Sequence, residues 1–159
     1  MKRPRLSGRS LKWVLRLYPP LLGAGIRVRR VSADLRELDV ELKAHWWNMN
    51  YVGTHYGGSL YSMTDPFYML MLLHNLGRDY IVWDKAATIR FRKPGKGRLR
   101  ASFRLTAGQL DAWRAQLETQ EKIEPVMVVK VLDEQDEVVA EVEKLLYIRR
   151  KVPAGREEE

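Results

Sequence analysis

The sequence has no cysteine, and this absence excludes disulfides, thiolate metal ligands and cysteine nucleophiles. It also lacks an apolar run of the roughly 18 residues that a membrane-spanning helix needs. The histidines, His45, His55 and His74, are scattered without the spacing of metal ligands, so we predict no metal site. The basic N-terminus begins like a secretory signal, but charged residues and Pro19-Pro20 interrupt its apolar part. We therefore predict a cytoplasmic protein.

Basic residues are abundant. The 159 residues include 28 lysines and arginines against 20 acidic residues, a formal net charge of +8. Such a surface attracts anions, and the candidates are nucleic acid, an acidic membrane surface or a phosphate-bearing small molecule. The length and the hydrophobic content of 45% fit one soluble domain with its own core. We divide the chain into a basic helical segment packed on the domain (1–24), a folded domain (25–151) and a disordered tail (152–159).

Alternating apolar and polar residues predict the strands. "IRVRRV" and "ELDVELK" form a first pair, and "PVMVVKVL" and "EVVAEVEKLLYIRRK" form a last pair around the polar turn 133–136. Strand signals resume at Tyr80. "TIRFRKPGKGRLRASFRL" predicts a hairpin about residues 94–97.

Helical periodicity predicts a short helix over 10–18, a long apolar helix over 57–73, and a helix after the capping pattern of Thr106 and Gln109. No strand–helix–strand alternation appears, which favours one antiparallel sheet in the α+β class. A helix that is apolar nearly all round needs cover on most sides, and a curved sheet wrapped around it supplies that cover.

The apolar run begins with Gly57 and Gly58 and holds one carboxylate, Asp65. Pro66 follows directly and leaves two interpretations open. Either a continuous helix is kinked there, which we favour, or the helix begins at Pro66 with Asp65 as its N-cap and 57–64 as a loop.

These residues resemble the motif of the hotdog-fold acyl-CoA thioesterases, in their phenylacetyl-CoA-type branch. There, an asparagine, a His-Gly-Gly triplet, a leucine, an aromatic residue and an aspartate open the central helix. The matching positions here are Asn50, Tyr56, Gly57, Gly58, Leu60, Tyr61, Met63 and Asp65. "HWWNMNYVGTHYGGSLY" and "EVVAEVEKLLYIRRK" are also similar to a hotdog subfamily described only as a domain of unknown function. The resemblance covers roughly residues 28–151 and implies a hotdog fold, acyl-CoA thioester hydrolysis and a homodimer or dimer of dimers.

The resemblance also implies a role for each residue. Asp65 activates water or attacks the thioester, backbone N–H groups near Gly57 and Gly58 hold the carbonyl oxygen, and Asn50 orients the water or the thioester. Unpaired N–H groups at a helix start suit an oxyanion, each typically contributing about 3 kcal/mol. Isolation among apolar neighbours would disfavour the charged form of Asp65. Coenzyme A enters as part of the substrate, and no cofactor is predicted.

Spacing adds a constraint. Asp65 follows Gly57 by 65 − 57 = 8 positions, about 12 Å along a helix, whereas reacting groups must meet within roughly 3–3.5 Å. An enzyme therefore requires two chains, each giving its glycine end to one site and its aspartate to the other.

The sequence departs from the family motif at two positions. Tyr56 replaces the histidine, and Met69 stands where a polar residue is common. Together with Pro66, Met69 favours an alternative, a non-catalytic acyl- or lipid-binding hotdog protein. We assign Tyr56, Met69, Gly58 and Tyr61 to the substrate-binding surface.

The predicted hairpin carries arginines on one face: Arg90, Arg92, Arg98, Arg100 and Arg104. They suit the phosphates of coenzyme A, a nucleic-acid backbone or a solvated outer face, and we assign the first four to substrate binding. Phe91 and Phe103 fall on the opposite face, so no aromatic platforms alternate with the arginines, which disfavours nucleic acid. The basic helix over 10–18 could lie on a membrane, but we interpret it as packing on its own domain.

Overall fold

One antiparallel sheet is the framework of the computed structural model, which describes residues 8–151. Its strands are β1 (Ile26–Val31), β2 (Glu37–Lys43), β3 (Tyr80–Phe91), β4 (Arg98–Arg104), β5 (Lys122–Ile123), β6 (Val126–Leu132) and β7 (Val138–Arg150). They follow the order β1-β2-β4-β6-β7-β3, and the short β5 pairs with β7. The predicted first and last strand pairs are confirmed.

A row of apolar residues crosses one face of the sheet. Val28 lies opposite Val40, Val40 opposite Ala101, Ala101 opposite Val131, and Val131 opposite Ala140. All five are buried. Because successive side chains of a strand point to opposite faces, the alternation seen in the sequence places one apolar set against the helices.

The predicted β3–β4 hairpin is wrong. β3 pairs with β7, and β4 pairs with β2 and β6, so two strands separate them in the sheet. The glycines of the connecting loop are tied elsewhere, since the carbonyls of Gly95 and Gly97 accept hydrogen bonds from the backbone N–H groups of His55 (2.9 Å) and Ala44 (3.1 Å). Turn residues specify a change of direction, and they do not specify which strand becomes the partner.

The helices of the described residues are α1 (Gly8–Leu17), α2 (Pro19–Ala24), α3 (Gly57–Ser62), α4 (Phe67–Leu76) and α5 (Ala107–Thr119). α3 and α4 form the central helical segment, which is interrupted at residues 63–66. Pro66 has no N–H for the Ser62 carbonyl, which instead accepts a hydrogen bond from the Asp65 N–H at 3.4 Å. Neither interpretation of Pro66 holds in full. The helix is interrupted at residues 63–66, so it is not one continuous kinked helix. Residues 57–62 are helical and Asp65 does not cap α4, so 57–64 is not a loop before an Asp65 cap.

α4 packs its apolar surface on the sheet. The rings of Phe67 and Tyr68 lie 5.0 and 5.1 Å from the ring of Phe103 on β4. Met71 and Leu72 are fully buried beside them. The predicted architecture, a curved antiparallel sheet around a central helical segment, is confirmed.

The N-terminal helices lie on the domain. α1 contacts β1 and buries Leu11 and Leu15, while Trp13 and Leu17 stay exposed. α2 was not predicted. It begins at Pro19, because an N–H group in the first turn of a helix has no acceptor within the helix and proline is therefore tolerated there. No helix within residues 8–151 is long and apolar enough to cross a membrane. The expected disordered tail falls outside the described residues.

The capping box of α5 is confirmed. Thr106 Oγ1 accepts a hydrogen bond from the Gln109 N–H at 3.1 Å, and Gln109 Oε1 accepts one from the Thr106 N–H at 2.9 Å. Leu110 and Leu117 face the core.

Candidate active site

Asp65 lies in a cluster of charged and polar groups. Its Oδ1 accepts a hydrogen bond from the Tyr61 hydroxyl at 2.9 Å and one from Lys144 Nζ at 2.8 Å. Lys144 Nζ also lies 3.4 Å from Asp84 Oδ2. The expectation that Asp65 is isolated among apolar neighbours is therefore wrong, because the sheet supplies a cation that the local sequence does not show.

Lys144 is fully buried. A buried ammonium needs a partner for each of its three N–H groups. Asp65 and the Tyr61 hydroxyl, 3.4 Å away, accept two of them, and Asp84 lies in place for the third. The cluster therefore offers a protein partner for each N–H group of the cation.

Lys144 was not predicted as a site residue, although the sequence of β7 carried a signal. Val142 and Leu146 are buried on the inner face of the sheet, and Lys144 stands between them at the same alternation. Asp84 follows the buried Val82 in the same way on β3. A charged residue at a buried position of a strand is the pattern that identifies such a cluster.

Burial and mutual charge change the titration of the cluster. Burial alone would lower the pKa of Lys144, but the hydrogen bond to Asp65 and the charges of both carboxylates outweigh it and raise that pKa. Burial raises the pKa of Asp84, which the charge of Lys144 opposes and that of Asp65 reinforces. Burial and the hydrogen bond to Asp65 raise the pKa of Tyr61. At neutral pH the cluster thus holds an ammonium and an uncharged phenol beside Asp65.

Asp65 remains accessible, with 46% of its side chain exposed. Among the hydrogen bonds of the described residues, both of its bonds reach Oδ1 and none reaches Oδ2. A carboxylate held by one oxygen, with the other available, is suited to act as a general base or a nucleophile.

An open cavity of about 440 Å³ lies at the start of α3, a volume typical of small-molecule sites. Its lining includes Asn50, His55, Gly57, Phe91 and Arg92. The cavity brings together the predicted Asn50, Gly57 and Arg92, and Asp65 does not line it.

The two glycines leave room for aromatic rings. A Cβ at Gly58 would lie 2.3 Å from Cε1 of Tyr56, and a Cβ at Gly57 would lie 3.2 Å from Cζ of Phe91. The N–H groups of both glycines belong to the first turn of α3, where a helix supplies no acceptor. Packing therefore explains the glycines, and the same residues leave the helix start free of side chains.

Asn50 shapes the loop that forms one wall of the cavity. Its Oδ1 accepts hydrogen bonds from the N–H groups of Val52 and Thr54 at 3.1 Å, and its Nδ2 donates to Thr54 Oγ1 at 2.8 Å. Gly53, with φ of 75°, completes the turn. The amide is engaged within its own loop in this structure.

His55 was not assigned to the site, yet it lines the cavity. It is 3% exposed, and its Nε2 lies 2.9 Å from the carbonyl oxygen of Gly97, which makes Nε2 the donor and Nδ1 an acceptor. Nδ1 is buried and has no hydrogen-bond partner within residues 8–151. Burial lowers the pKa of His55, so the ring is neutral at neutral pH.

The arginines cover separate parts of the outer sheet surface, because β3 and β4 are not neighbours. Each pairs with an acidic residue: Arg90 with Glu143, Arg92 with Glu141, Arg98 with Glu41, Arg100 with Asp136, and Arg104 with Asp39. Their side chains stay 41% to 55% exposed. Of the five, Arg92 lines the cavity.

The predicted site residues thus form a cavity group at the start of α3 and a carboxylate group after its end. Tyr61 belongs to the carboxylate group, Tyr56 is 61% exposed beside the glycines, and Met69 packs partly buried against the core. Within residues 8–151, no three His, Asp or Glu side chains are grouped so that they could hold a metal ion.

A curved antiparallel sheet wrapped around a central helical segment is the hotdog fold. Within it, the chain belongs to the family described as a domain of unknown function, DUF4442, whose model matches residues 8–148. No curated protein matches the sequence.

Solved structures share this fold. Protein PA5026 of Pseudomonas aeruginosa, described as a probable thioesterase, is 22% identical with a TM-score of 0.81, and the match covers 94% of this chain and 100% of that one. Thioesterase HI1161 of Haemophilus influenzae is 10% identical with a TM-score of 0.64, covering 96% and 97%. PaaI of E. coli, from the phenylacetic acid degradation operon, is 15% identical with a TM-score of 0.62, covering 91% and 92%. At these identities the likeness shows the fold.

Proposed function

We propose that the protein hydrolyses acyl-CoA thioesters at a site shared between two subunits. The supporting observation is the separation of the cavity group from Asp65 within one chain. Gly57 opens α3 and Asp65 lies in the turn that follows its end at Ser62, so the two residues are on the order of 12 Å apart at the rise of a helix. Reacting groups must approach to roughly 3–3.5 Å, so a second chain completes the site.

The exposed edge of β3 is the surface on which we propose that the second chain docks. β3 pairs on one side with β7, and residues 85–88 are exposed. A strand edge of this length is a template for pairing with another chain. Antiparallel pairing of 85–88 with its copy about a two-fold axis brings the start of β3 in one subunit beside the end of β3 in the other.

This strand pairing brings the cavity group of one subunit close to the Asp65 cluster of the other. Asp84 lies in the first half of β3 and contacts Lys144 of the Asp65 cluster, whereas Phe91 lies at the end of β3 and lines the cavity. Within one chain Asp84 and Phe91 are about 23 Å apart at 3.3 Å per strand residue. Across a two-fold axis through 85–88 they come close together.

In the proposed reaction, Oδ2 of Asp65 removes a proton from water as the water oxygen attacks the thioester carbonyl. The oxyanion forms against the N–H groups at the start of α3. The carbon–sulfur bond then breaks, and the proton held by Asp65 passes to the departing thiolate. Arg92, at the cavity, is suited to contact the phosphates of coenzyme A.

One observation favours the alternative of a non-catalytic acyl-binding protein. The amide of Asn50 is fully engaged in its own loop, so it does not present a free group to a water or a thioester. On this alternative the cavity holds the acyl group and the Asp65 cluster is structural.

Thiol release from a panel of acyl-CoAs distinguishes the two. The wild type should hydrolyse at least one member, and Asp65→Asn should reduce kcat/KM by about 100-fold or more while binding persists. Asp111→Asn is the matched control, since Asp111 forms an exposed ion pair with Arg114 at 3.0 Å on α5. Saturable binding without turnover would favour the binding protein, and neither binding nor turnover would contradict both.

A further inference from the structure

Two donors from different elements hold the same oxygen of Asp65. Tyr61 reaches Oδ1 from α3 and Lys144 reaches it from β7, at 2.9 and 2.8 Å. We infer that Lys144 is a positioning residue, which with Tyr61 fixes Oδ1 of Asp65 and leaves Oδ2 to act on the substrate. This inference rests on the proposed function, because it concerns the reacting group of that site.

Stability alone does not explain a lysine at this position. Lys144 stands between the buried Val142 and Leu146 on the inner face of the sheet, where an apolar side chain of similar length would fill the same space. The free-energy cost of desolvating a buried ion pair can equal or exceed the attraction between its charges. Replacing such a pair with well-packed apolar residues is therefore often neutral or stabilising. The cation therefore requires a reason beyond packing, and its contact with the half-exposed Asp65 supplies one.

The cluster is electrostatically self-contained. Its charged and polar members are Tyr61 on α3, Asp65 in the turn after it, Asp84 on β3 and Lys144 on β7. The residue opposite Lys144 on β6 is the neutral Met127. One ammonium thus stands between two carboxylates, and Asp84 competes with Asp65 for it.

Replacing Lys144 and replacing Asp84 should shift the pH profile of kcat/KM in opposite directions. Lys144→Met removes the ammonium at hydrogen-bond distance from Asp65, and this change should move the acid limb of kcat/KM to higher pH. Asp84→Asn removes the second carboxylate of the cluster, and this change should move the acid limb to lower pH. Tyr61→Phe removes a neutral donor and should lower kcat with a smaller movement of the limb.

Two readouts test the inference on the intact protein. The first is kcat/KM against pH with the best acyl-CoA. The second is a carbon-13 NMR titration of labelled aspartate carboxyls, with the Asp65 signal assigned by its loss in Asp65→Asn, and this readout does not depend on activity. Lys130→Met is the matched control, because Lys130 lies on β6 and is exposed; it should change neither readout.

The inference is supported if the acid limb of kcat/KM and the NMR titration midpoint of Asp65 both move to higher pH in Lys144→Met and both move to lower pH in Asp84→Asn. A folded Lys144→Met protein with wild-type values in both readouts overturns it. If Lys144→Met does not fold, Asp84→Asn decides alone, and an unchanged or raised midpoint overturns the inference. If the wild type hydrolyses no acyl-CoA but the midpoints move as stated, the charge coupling holds and the proposed hydrolysis fails.

Discussion

At the scale of single residues, the inner surface of this fold carries charge in one place. Lys144 is the fully buried charged side chain among residues 8–151, and its partners come from two separate segments of the chain, residues 61–65 and β3. Removing one member of such a cluster leaves the others unsatisfied, which costs more than the contact itself contributes. The position of Asp65 therefore depends on residues far from it in sequence.

His55 gives a prediction about stability and pH. Burial lowers its pKa in the folded state below the ordinary value of 6.5. As the pH falls below about 6.5, the unfolded chain binds a proton that the folded chain does not, so the free energy of unfolding falls. Above that pH both states are neutral and His55 contributes no pH dependence.

Urea unfolding at about pH 7.5 and 5.5 measures this contribution. His55→Gln keeps an N–H group able to reach the Gly97 carbonyl and removes the titration. The variant should therefore lose less stability on acidification than the wild type does. Equal losses in the two proteins would assign the acid sensitivity to other groups.

At the scale of elements, the turn between α3 and α4 places Asp65. Thr64 is fully buried there, and its Oγ1 donates a hydrogen bond to the Tyr61 carbonyl at 2.7 Å. Thr64→Val keeps the shape and removes this bond, so we expect a loss of about 1 kcal/mol in the free energy of unfolding.

Thr119 provides the control, since its Oγ1 makes the same type of bond to the Gln116 carbonyl at 3.2 Å at the exposed end of α5. Water can replace that bond, so Thr119→Val should change the free energy of unfolding by less than about 0.5 kcal/mol. Denaturant titrations of both variants give the comparison. A loss in Thr64→Val no larger than that in Thr119→Val would mean that the turn does not depend on its hydroxyl.

The elements also show how far the sequence was informative. β1, β2, β6 and β7 were predictable because each carries its burial pattern in its own alternation. The partner of β3 was not, because pairing of Tyr80 with Arg150 joins residues far apart in the chain, and the 94–97 turn suggested a local partner instead. The break before α4 followed from Pro66, but its form depended on hydrogen bonds within 58–65 that composition does not specify.

The candidate site, like the fold, was predictable from the sequence only in part. The spacing of Gly57 and Asp65 was visible in one stretch of sequence and led to the proposal of a site shared by two chains. Lys144 stands 79 positions after Asp65, so their contact arises only through the register of the sheet. Asn50 was assigned to chemistry by resemblance, and the structure shows its amide holding a loop.

At the scale of the whole molecule, the proposal of a shared site predicts complementation between two inactive variants. Asn50→Ala should disturb the cavity wall, and Asp65→Asn removes the reacting carboxylate, so each homodimer should be nearly inactive while folded. In a mixed dimer, one site carries both lesions and the other carries neither. The intact site combines Asn50 of one chain with Asp65 of the other.

Refolding the two variants together gives about half heterodimers, each with one working site of two, so roughly a quarter of wild-type activity should return. Native mass spectrometry measures the heterodimer fraction, and thiol release measures the activity. Mixing wild type with Asp65→Asn is the control, and its activity should follow the number of intact sites. If heterodimers form and no activity returns, Asn50 and Asp65 do not meet across a subunit boundary, and the pairing through residues 85–88 of β3 would have to be abandoned.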